Sequence, residues 1–530
     1  MKAQHSNVSD PKTPRSRAGI LLAVIYALGV LLSLFLFLQV KDEVFYSGDG
    51  GLKYLMVRQY ARGDFSIYHQ PPHPQWVKDI WESGQYPFAP PFTYDSPGGH
   101  MVVFPFLFQA LSTPLFLLLG FRGLYVIPIL ALWLLWWRFV SAGRALGVGP
   151  GVLCLGLTAL ILASPLTLYG GMFWEFTLGA LLVFFAVDFA VKSWNSEYPV
   201  RRAVLLGLLS GLSVWVRPEA SLVLAPALLV LLIRYIFRRR PETLWFASAC
   251  GLVAALFMLA NQILYGHFLG SRGIQVAGGI SATMGFATVR FIFLSLQANL
   301  LSRFPSMFFF LLALPLLFLS GKKALSLLLL ATILVPCFAV PFLVPDWGGK
   351  QWGPRYLLVV IPLLVFACSY QLHTAMTHRR APVRWVYGAV FLVTLALGVA
   401  RNTYQGPLHL VRDYRERVRP ALERLRRSDT GYIAVSNQWY ALELTALCDE
   451  RAFFWPRKPR DEMTLARRLR ENGVTEFLYV TIPGHRDGEH RRFYRDEQRK
   501  VVPVYLKTLG VFGRYEIFEG RIGEPQDGHS

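Results

Sequence analysis

Apolar residues in this chain come in long runs broken by short polar or basic turns. Beyond about residue 402 the alternation becomes shorter and more polar. A helix that crosses a bilayer needs about 20 apolar residues. Runs of roughly that length predict spans at 18–40, 121–141, 150–167, 174–192, 203–216, 220–237, 243–263, 304–320, 324–344, 355–372 and 384–401, about eleven in all. The fifth is short, and Arg217-Pro218-Glu219 divides it from the sixth. Met101 to Leu119 is also apolar enough to cross, but it contains Pro105 and Pro114 and ends at Gly120-Phe121-Arg122.

That segment decides the topology. If it crossed, Arg238-Arg239-Arg240, Lys322-Lys323 and Arg379-Arg380 would all lie outside, against the positive-inside bias of short loops. If it lies along or dips into the outer face, those clusters become cytoplasmic, together with Arg138, Arg144, Lys192, Arg201 and Arg202. The second arrangement is expected, with the N-terminus inside and everything after Arg401 outside. The basic leader (Lys2, Lys12, Arg15, Arg17) precedes an apolar run, Ala18 to Val40, that meets Lys41-Asp42-Glu43. A cleavable signal has a shorter apolar region, about 7–15 residues, and a small-residue cleavage site. A retained first span follows.

Two domains are expected. Residues 1–401 form a transmembrane part whose first outer loop is 41–120. Residues 402–530 form a small extracytoplasmic α/β domain, with helix-like stretches at 413–427 and 461–471 and β-like runs at 432–436, 476–481 and 501–506.

Composition agrees with a membrane bundle. Of 530 residues, 54% are hydrophobic and 16% charged, and the mean hydropathy is +0.38. The formal net charge of +21 is of the kind that cations flanking many spans produce. No zinc-finger, RNP or helix-turn-helix pattern accompanies it, so nucleic acid is not the expected partner. Cys154, Cys250, Cys337, Cys368 and Cys448 have no CxxC spacing and read as buried small hydrophobes. Neither a Walker motif nor a GxGxxG after a strand is present, which argues against a nucleotide-linked donor in the cytoplasm.

The segments left outside are the richest in acids, aromatics, glycine and proline. Tyr46-Ser47-Gly48-Asp49-Gly50-Gly51-Leu52-Lys53-Tyr54 places an acid in a glycine-rich turn beside the bilayer. Glycine lets backbone approach a ligand, and a carboxylate there can act as a base; equally, Asp is a favoured helix N-cap. Lys53 lies one turn on from Asp49, on the same face. Glu175 opens a span after Gly170-Gly171-Met172-Phe173-Trp174. Arg217 can bind phosphate or pair with Glu219, and Arg272 is a further cation of this kind. Trp352-Gly353-Pro354-Arg355-Tyr356 places an arginine able to grip phosphate oxygens in two-point fashion, or to anchor at the interface. His69, His73 and His100 match no metal-ligand spacing. Trp76 and Trp81 suit either sugar stacking or seating at the membrane interface.

Taken together, residues 18–401 resemble the GT-C membrane glycosyltransferases, among them protein O-mannosyltransferases, aminoarabinose transferases and oligosaccharyltransferase catalytic subunits. The resemblance rests on Asp49 followed by Tyr54 and by Arg62-Gly63-Asp64, on the proline-rich Pro90-Pro91-Phe92-Thr93-Tyr94-Asp95-Ser96-Pro97, and on Gly353-Pro354-Arg355-Tyr356. It implies a mainly α polytopic bundle and transfer of sugar from a polyprenyl-phosphate donor to an extracytoplasmic acceptor. In that scheme Asp49 is general base and Glu175 a second catalytic acid. Lys53, Arg217, Arg272 and Arg355 hold the donor phosphate, and Tyr94, His100 and Trp352 contact substrate. With no Asp-x-Asp pair in the second outer loop, no cofactor is expected and a divalent metal is not favoured. The competing reading is a transporter or flippase of a lipid-linked substrate. Such proteins concentrate ionisable residues at the membrane midplane, often in repeated halves, and this chain shows no internal repeat. A third reading is an assembly subunit whose loops bind partners only.

Overall fold

The structure, a computed structural model, describes residues 13–39, 45–46, 48–96, 98–193, 197–279, 286–319, 321–344, 352–484, 490–495, 500–523 and 526–527. The chain divides into two compact units, each discontinuous in sequence. One is Met1–Phe37, Ile127–Ala260 and Gly279–Gly406; the other is Leu38–Val126, Asn261–Gly278 and Pro407–Ser530.

The first unit is a helical bundle, and this is an integral membrane protein. Among the described residues, seven stretches are long and apolar enough to cross a bilayer: Arg17–Gln39, Phe106–Leu146, Pro218–Arg238, Pro241–Tyr265, Lys323–Phe342, Arg355–Met376 and Ala381–Arg426. The other expected spans form shorter helices. Pro150–Ile161 has 12 residues, and Phe176–Lys192 and Val200–Val216 have 17 each. Ser306–Leu312 and Leu314–Leu319 are separated at Ala313, because Pro315 cannot donate to the preceding turn.

Charges inside the bundle are matched. Asp188 is fully buried in Phe176–Lys192. It takes Arg138 from Val126–Leu146 and Lys192, at 2.8 Å, from its own helix. An unpaired carboxylate at that depth would cost several kcal/mol.

The second unit is built around the acid-bearing helix Gly48–Ala61. Eleven of its 14 residues are buried, Asp49 and Lys53 included. Leu52, Leu55, Met56 and Tyr60 enter one apolar core with Phe88, Phe104, Leu442, Leu447, Phe453 and Phe518. A small sheet lies beside this helix in sequence. Strand Gly99–Val102 is central, with Tyr68–His69 and Thr93–Ser96 antiparallel on either side. The segment Met101–Leu119 yields a helix over Phe106–Leu119 only. Its 14 residues reach about 21 Å, short of the roughly 30 Å hydrocarbon layer. At Gly120 (φ +61°) the chain turns, and a Cβ at Gly123 would lie 1.9 Å from the Leu115 carbonyl oxygen. The polypeptide therefore folds back tightly before helix Val126–Leu146 starts.

Residues 407–530 contribute a seven-stranded sheet. Tyr432–Val435 runs parallel to Ala452–Phe454 and to Glu476–Thr481. Tyr515–Ile522 then pairs antiparallel with Glu476–Thr481 and with the long strand Lys500–Phe512. Helix Pro459–Glu471 buries Leu465, Ala466 and Leu469. Its exposed side carries Arg460, Arg467 and Arg468.

Close approach fixes where the acid-bearing helix sits. A Cβ at Gly51 would lie 1.8 Å from Thr445 Oγ1, and one at Gly48 would lie 2.9 Å from Leu442 Cβ. Gly51→Ala is therefore expected to destabilise this unit by about 1–3 kcal/mol. Thr445→Gly in the same chain should recover part of the loss. The midpoint of thermal unfolding of the detergent-solubilised protein reads both effects, and an unchanged midpoint for Gly51→Ala contradicts the packing described.

Candidate active site

The candidate residues fall into two sets, one in each unit, and each set has its own geometry.

In the second unit, Asp49 stands in the first turn of Gly48–Ala61. There the unpaired N–H groups and the positive end of the helix favour a carboxylate. It is 6% exposed. Lys53, one turn on, is 1% exposed, and its Nζ lies 4.6 Å from the centre of the Phe104 ring. Further along, Arg58 and Arg62 grip the buried Asp449 carboxylate at 3.0 and 2.8 Å. The helix thus carries the acid, a buried ammonium and Arg58, and Arg62 in the turn just after it joins Arg58 on Asp449.

The strand pair Thr93–Ser96 and Gly99–Val102 sets Asp95 opposite His100. His100 Nδ1 is 2.8 Å from Asp95 Oδ1, and its ring stacks on Tyr86 with centres 3.7 Å apart. Tyr94 is half-buried against the unit's apolar core. Arg272 belongs to helix Gly270–Gly279, and its side chain lies outside the described residues.

The other loop residues have structural partners. His69 is buried, with Nδ1 on the Tyr86 hydroxyl. His73 Nε2 lies 2.8 Å from the Cys448 carbonyl oxygen. The two tryptophans differ in burial, Trp81 being enclosed and Trp76 half-buried. Trp81 is 4% exposed and donates to the Phe453 carbonyl at 2.8 Å, and Trp76 packs on Tyr432. Trp81 lies in the core and Trp76 against its edge, both on the sheet of residues 432–522, whose packing on this loop the sequence pattern did not reveal. Among the described residues, no group of three or more His, Cys, Asp or Glu is arranged to hold a metal.

In the first unit, Glu175 precedes helix Phe176–Lys192 and Arg217 ends helix Val200–Val216. These helices pack as an antiparallel pair, so the start of one meets the end of the other. Arg217 Nη1 donates to Glu175 Oε1 at 2.8 Å and Nη2 to Glu219 Oε1 at 3.3 Å. All three side chains are buried. The guanidinium lies 4.2 Å from the centre of the Phe176 ring, which stacks on Trp174 at 4.7 Å. On Trp174 in turn lies Arg355, 5.8 Å away, with Nη2 donating to the Tyr356 hydroxyl at 2.9 Å. The result is a column of cation, ring, ring and cation, with Arg217 buried and Arg355 half-buried, each at a favourable quadrupole face.

Trp352 is buried beside this column in sequence. Its Nε1 donates to Asn402 Oδ1 at 3.1 Å, and the Arg303 guanidinium lies 3.8 Å from the centre of its ring. Asn402 Nδ2 also donates to the carbonyls of Ala163, Arg303 and Gly398 at 2.7–3.0 Å. Sequence reasoning missed Asn402, Arg303, Asp449 and Thr445, since none stands in a motif. Only a lone amide at the outer end of a span pointed to Asn402. The loop residues Asp346, Trp347, Gly348, Gly349 and Lys350 lie outside the described residues.

The chain has the GT-C fold of membrane-embedded glycosyltransferases. It is similar to the crystal structure of ArnT from Cupriavidus metallidurans in the apo state, with 12% identity over 95% of this chain and 98% of that one, at a TM-score of 0.55. The structure of ArnT from the same organism bound to undecaprenyl phosphate gives 13% identity over 93% and 97% of the two chains, at a TM-score of 0.52. Identities this low establish the fold and nothing finer. No protein-family model matches the sequence, and no curated protein matches it either.

Two expectations follow from this geometry. Burial holds the His69 imidazole down at about 4, against the attraction of Asp449 and with help from His100, Arg62 and His73. The neutral ring therefore belongs to the fold, and its contribution is fully present above the ordinary value of 6.5. It is lost as pH falls from there through about 4, and amounts to about 3 kcal/mol. Thermal midpoints measured between those pH values should fall, and should fall less steeply in His69→Leu. In the first unit, Arg217→Met leaves two buried carboxylates without their cation and is expected to cost about 3–5 kcal/mol. Adding Glu175→Gln and Glu219→Gln to it should return part of that stability, as read by thermal unfolding in detergent.

Proposed function

We propose that this protein is a membrane glycosyltransferase that takes a sugar from a polyprenyl-phosphate-linked donor and passes it to an extracytoplasmic acceptor. The fold shared with ArnT supports the class, and the undecaprenyl phosphate bound in one of those ArnT structures supports the kind of donor. The observation that carries the reading is Asp49: a nearly buried carboxylate at the start of a helix that close packing against Leu442 and Thr445 holds in place.

In this reading the acceptor hydroxyl or amine attacks the anomeric carbon of the donor. The new bond forms as the bond from that carbon to the phosphate oxygen breaks, and the polyprenyl phosphate departs. Asp49 takes the acceptor's proton. Proton transfer to a positioned base of this kind is worth about 10²–10⁴-fold in rate. Arg355 is the leading candidate for the phosphate oxygens, and Lys53, Arg217 and Arg272 complete the candidate set. Arg217 already shares its guanidinium between two carboxylates, so it also orients Glu175. With no Asp-x-Asp pair in the sequence around Glu175, metal-independent transfer is proposed. Tyr94, His100 and Trp352 are proposed substrate contacts, directly or through their neighbours. The proposed orientation has a cytoplasmic N-terminus and an extracytoplasmic C-terminal region.

The test uses membranes containing the full chain and a panel of labelled polyprenyl-phosphate sugars. Wild type should transfer label from one donor, and Asp49→Asn should lower the rate by at least about 10²-fold while still binding that donor. Transfer by Asp49→Asn at the wild-type rate would remove Asp49 as base. Movement of the lipid across the bilayer without transfer, equal in both proteins, would replace the enzyme by a flippase.

A further inference from the structure

At the end of the bundle opposite Glu175, Arg217 and Arg355, the first unit has a cavity of about 570 Å³. Helix Arg355–Met376 begins at Arg355 and ends at this cavity, about 30 Å away for its 22 residues. The lining is Leu146 at the end of one helix, Leu319 and Lys322 before the next, and Tyr370, His373, Thr374 and Thr377–Arg380. Lys322, Arg379 and Arg380 are cations, and none of the lining residues is acidic.

The absence of acid extends well beyond the lining. The stretches 123–174, 305–345 and 356–412, from which all these residues come, contain no Asp or Glu. In contrast, the buried arginines at the opposite end are matched by Glu175 and Glu219. Topology alone asks only that cations flank the spans on the cytoplasmic side. It does not ask that they converge on a concavity.

The two histidines add neutral donors. His373 Nδ1 accepts the Gly149 N–H at 3.3 Å, and His378 Nδ1 accepts the Arg380 N–H at 3.2 Å. A ring nitrogen that accepts leaves the hydrogen on the other one, so each imidazole presents an Nε2–H while uncharged. Lys322 Nζ reaches the Leu146 carbonyl at 3.4 Å, which holds the ammonium at the cavity wall. Helix Ala381–Val399 also starts here, with Arg380 as its N-cap and no acid in its first turn. The positive end of its dipole adds to the same field.

We propose that this cavity is a binding site for a doubly charged phosphoryl group. Several cations with fixed N–H donors and no competing carboxylate suit a multiply charged oxyanion, and arginine matches phosphate oxygens in pairs. Leu319, which is 64% exposed, forms an apolar lip at its edge. A phospholipid with two phosphates, its chains in the bilayer, and a water-borne diphosphate both supply the required group.

The test compares the full-length wild type with Lys322→Gln/Arg379→Gln/Arg380→Gln. A control, Arg201→Gln/Arg238→Gln/Arg239→Gln, removes equal charge outside the cavity. Inorganic pyrophosphate is titrated into each detergent-solubilised protein by calorimetry. Cardiolipin retention is measured by native mass spectrometry after release from phosphatidylcholine nanodiscs doped with cardiolipin. Binding of at least one probe by wild type, weakened about tenfold or more in the cavity variant and within about twofold in the control, supports the site. Loss of cardiolipin alone identifies the lipid as the source, and loss of pyrophosphate alone identifies the aqueous anion. Failure of both probes to bind wild type, or equal weakening in the two variants, overturns the proposal.

Discussion

The second unit depends on one constraint: helix Gly48–Ala61 has to be covered on nearly every side. Most soluble helices present a polar face to water, but here residues on all faces are buried, including Asp49 and Lys53. No single partner can supply that cover. Helix Phe106–Leu119 packs on it from one direction, and residues 438–449 from another. Glycine at 48 and 51 removes the side chains that would keep Leu442 and Thr445 at a distance. Lys53 keeps its charge at tolerable cost by facing the Phe104 ring, and Asp49 by standing at the positive end of the helix dipole. The segment after residue 407 is therefore part of the structure that holds the acid, and its Asp449 is the counter-ion for Arg58 and Arg62.

The first unit obeys a related rule. Desolvating a charge is expensive, and Asp188, Arg217 and Arg355 each have opposite or aromatic company. Asp188 takes two cations. Arg217 takes two acids and the Phe176 face, and Arg355 lies against Trp174 and Tyr356. Such pairing makes Arg217 costly to remove for reasons of stability alone. Loss of activity on replacing it would then say little about phosphate contact. The acid in the second unit is a cleaner probe, because Asp49→Asn keeps shape and most hydrogen-bonding capacity.

Much of the architecture was legible from periodicity. Each of the expected apolar runs contains a helix, and the switch to α/β character near residue 402 is real. The resemblance to GT-C enzymes, carried by Asp49 and the Arg355 element, is matched by the fold. What the pattern could not convey was long-range pairing. His69, His73, Trp76 and Trp81 read as loop residues, yet their partners are Tyr86, Cys448, Tyr432 and Phe453, three of them more than 350 positions away. Sequence spacing carries no sign of such contacts. Arg217 illustrates the intermediate case. Its pairing with Glu219 could be read from two adjacent positions, while the stronger bond to Glu175 required the antiparallel packing of two spans. Asn402, with three carbonyl partners and one indole, had no local signal beyond its place after a span.

The two ends of helix Arg355–Met376 show how one chain separates opposite electrostatic tasks. At one end, cations are held rigidly by carboxylates and ring faces, an arrangement suited to orienting groups with little net field. At the other, cations gather around a cavity whose lining stretches contain no acid. A positive-inside bias asks for a cation-rich end but not for a concave one. Arg379 and Arg380 are exposed, so water and salt screen much of their mutual repulsion. What the cavity offers a phosphoryl group is the concave placing of Lys322, His373 and Arg380 on one wall. At the other end, Glu175 and Glu219 supply the counter-charge for Arg217 from within the chain, while Arg355 has ring and hydroxyl partners.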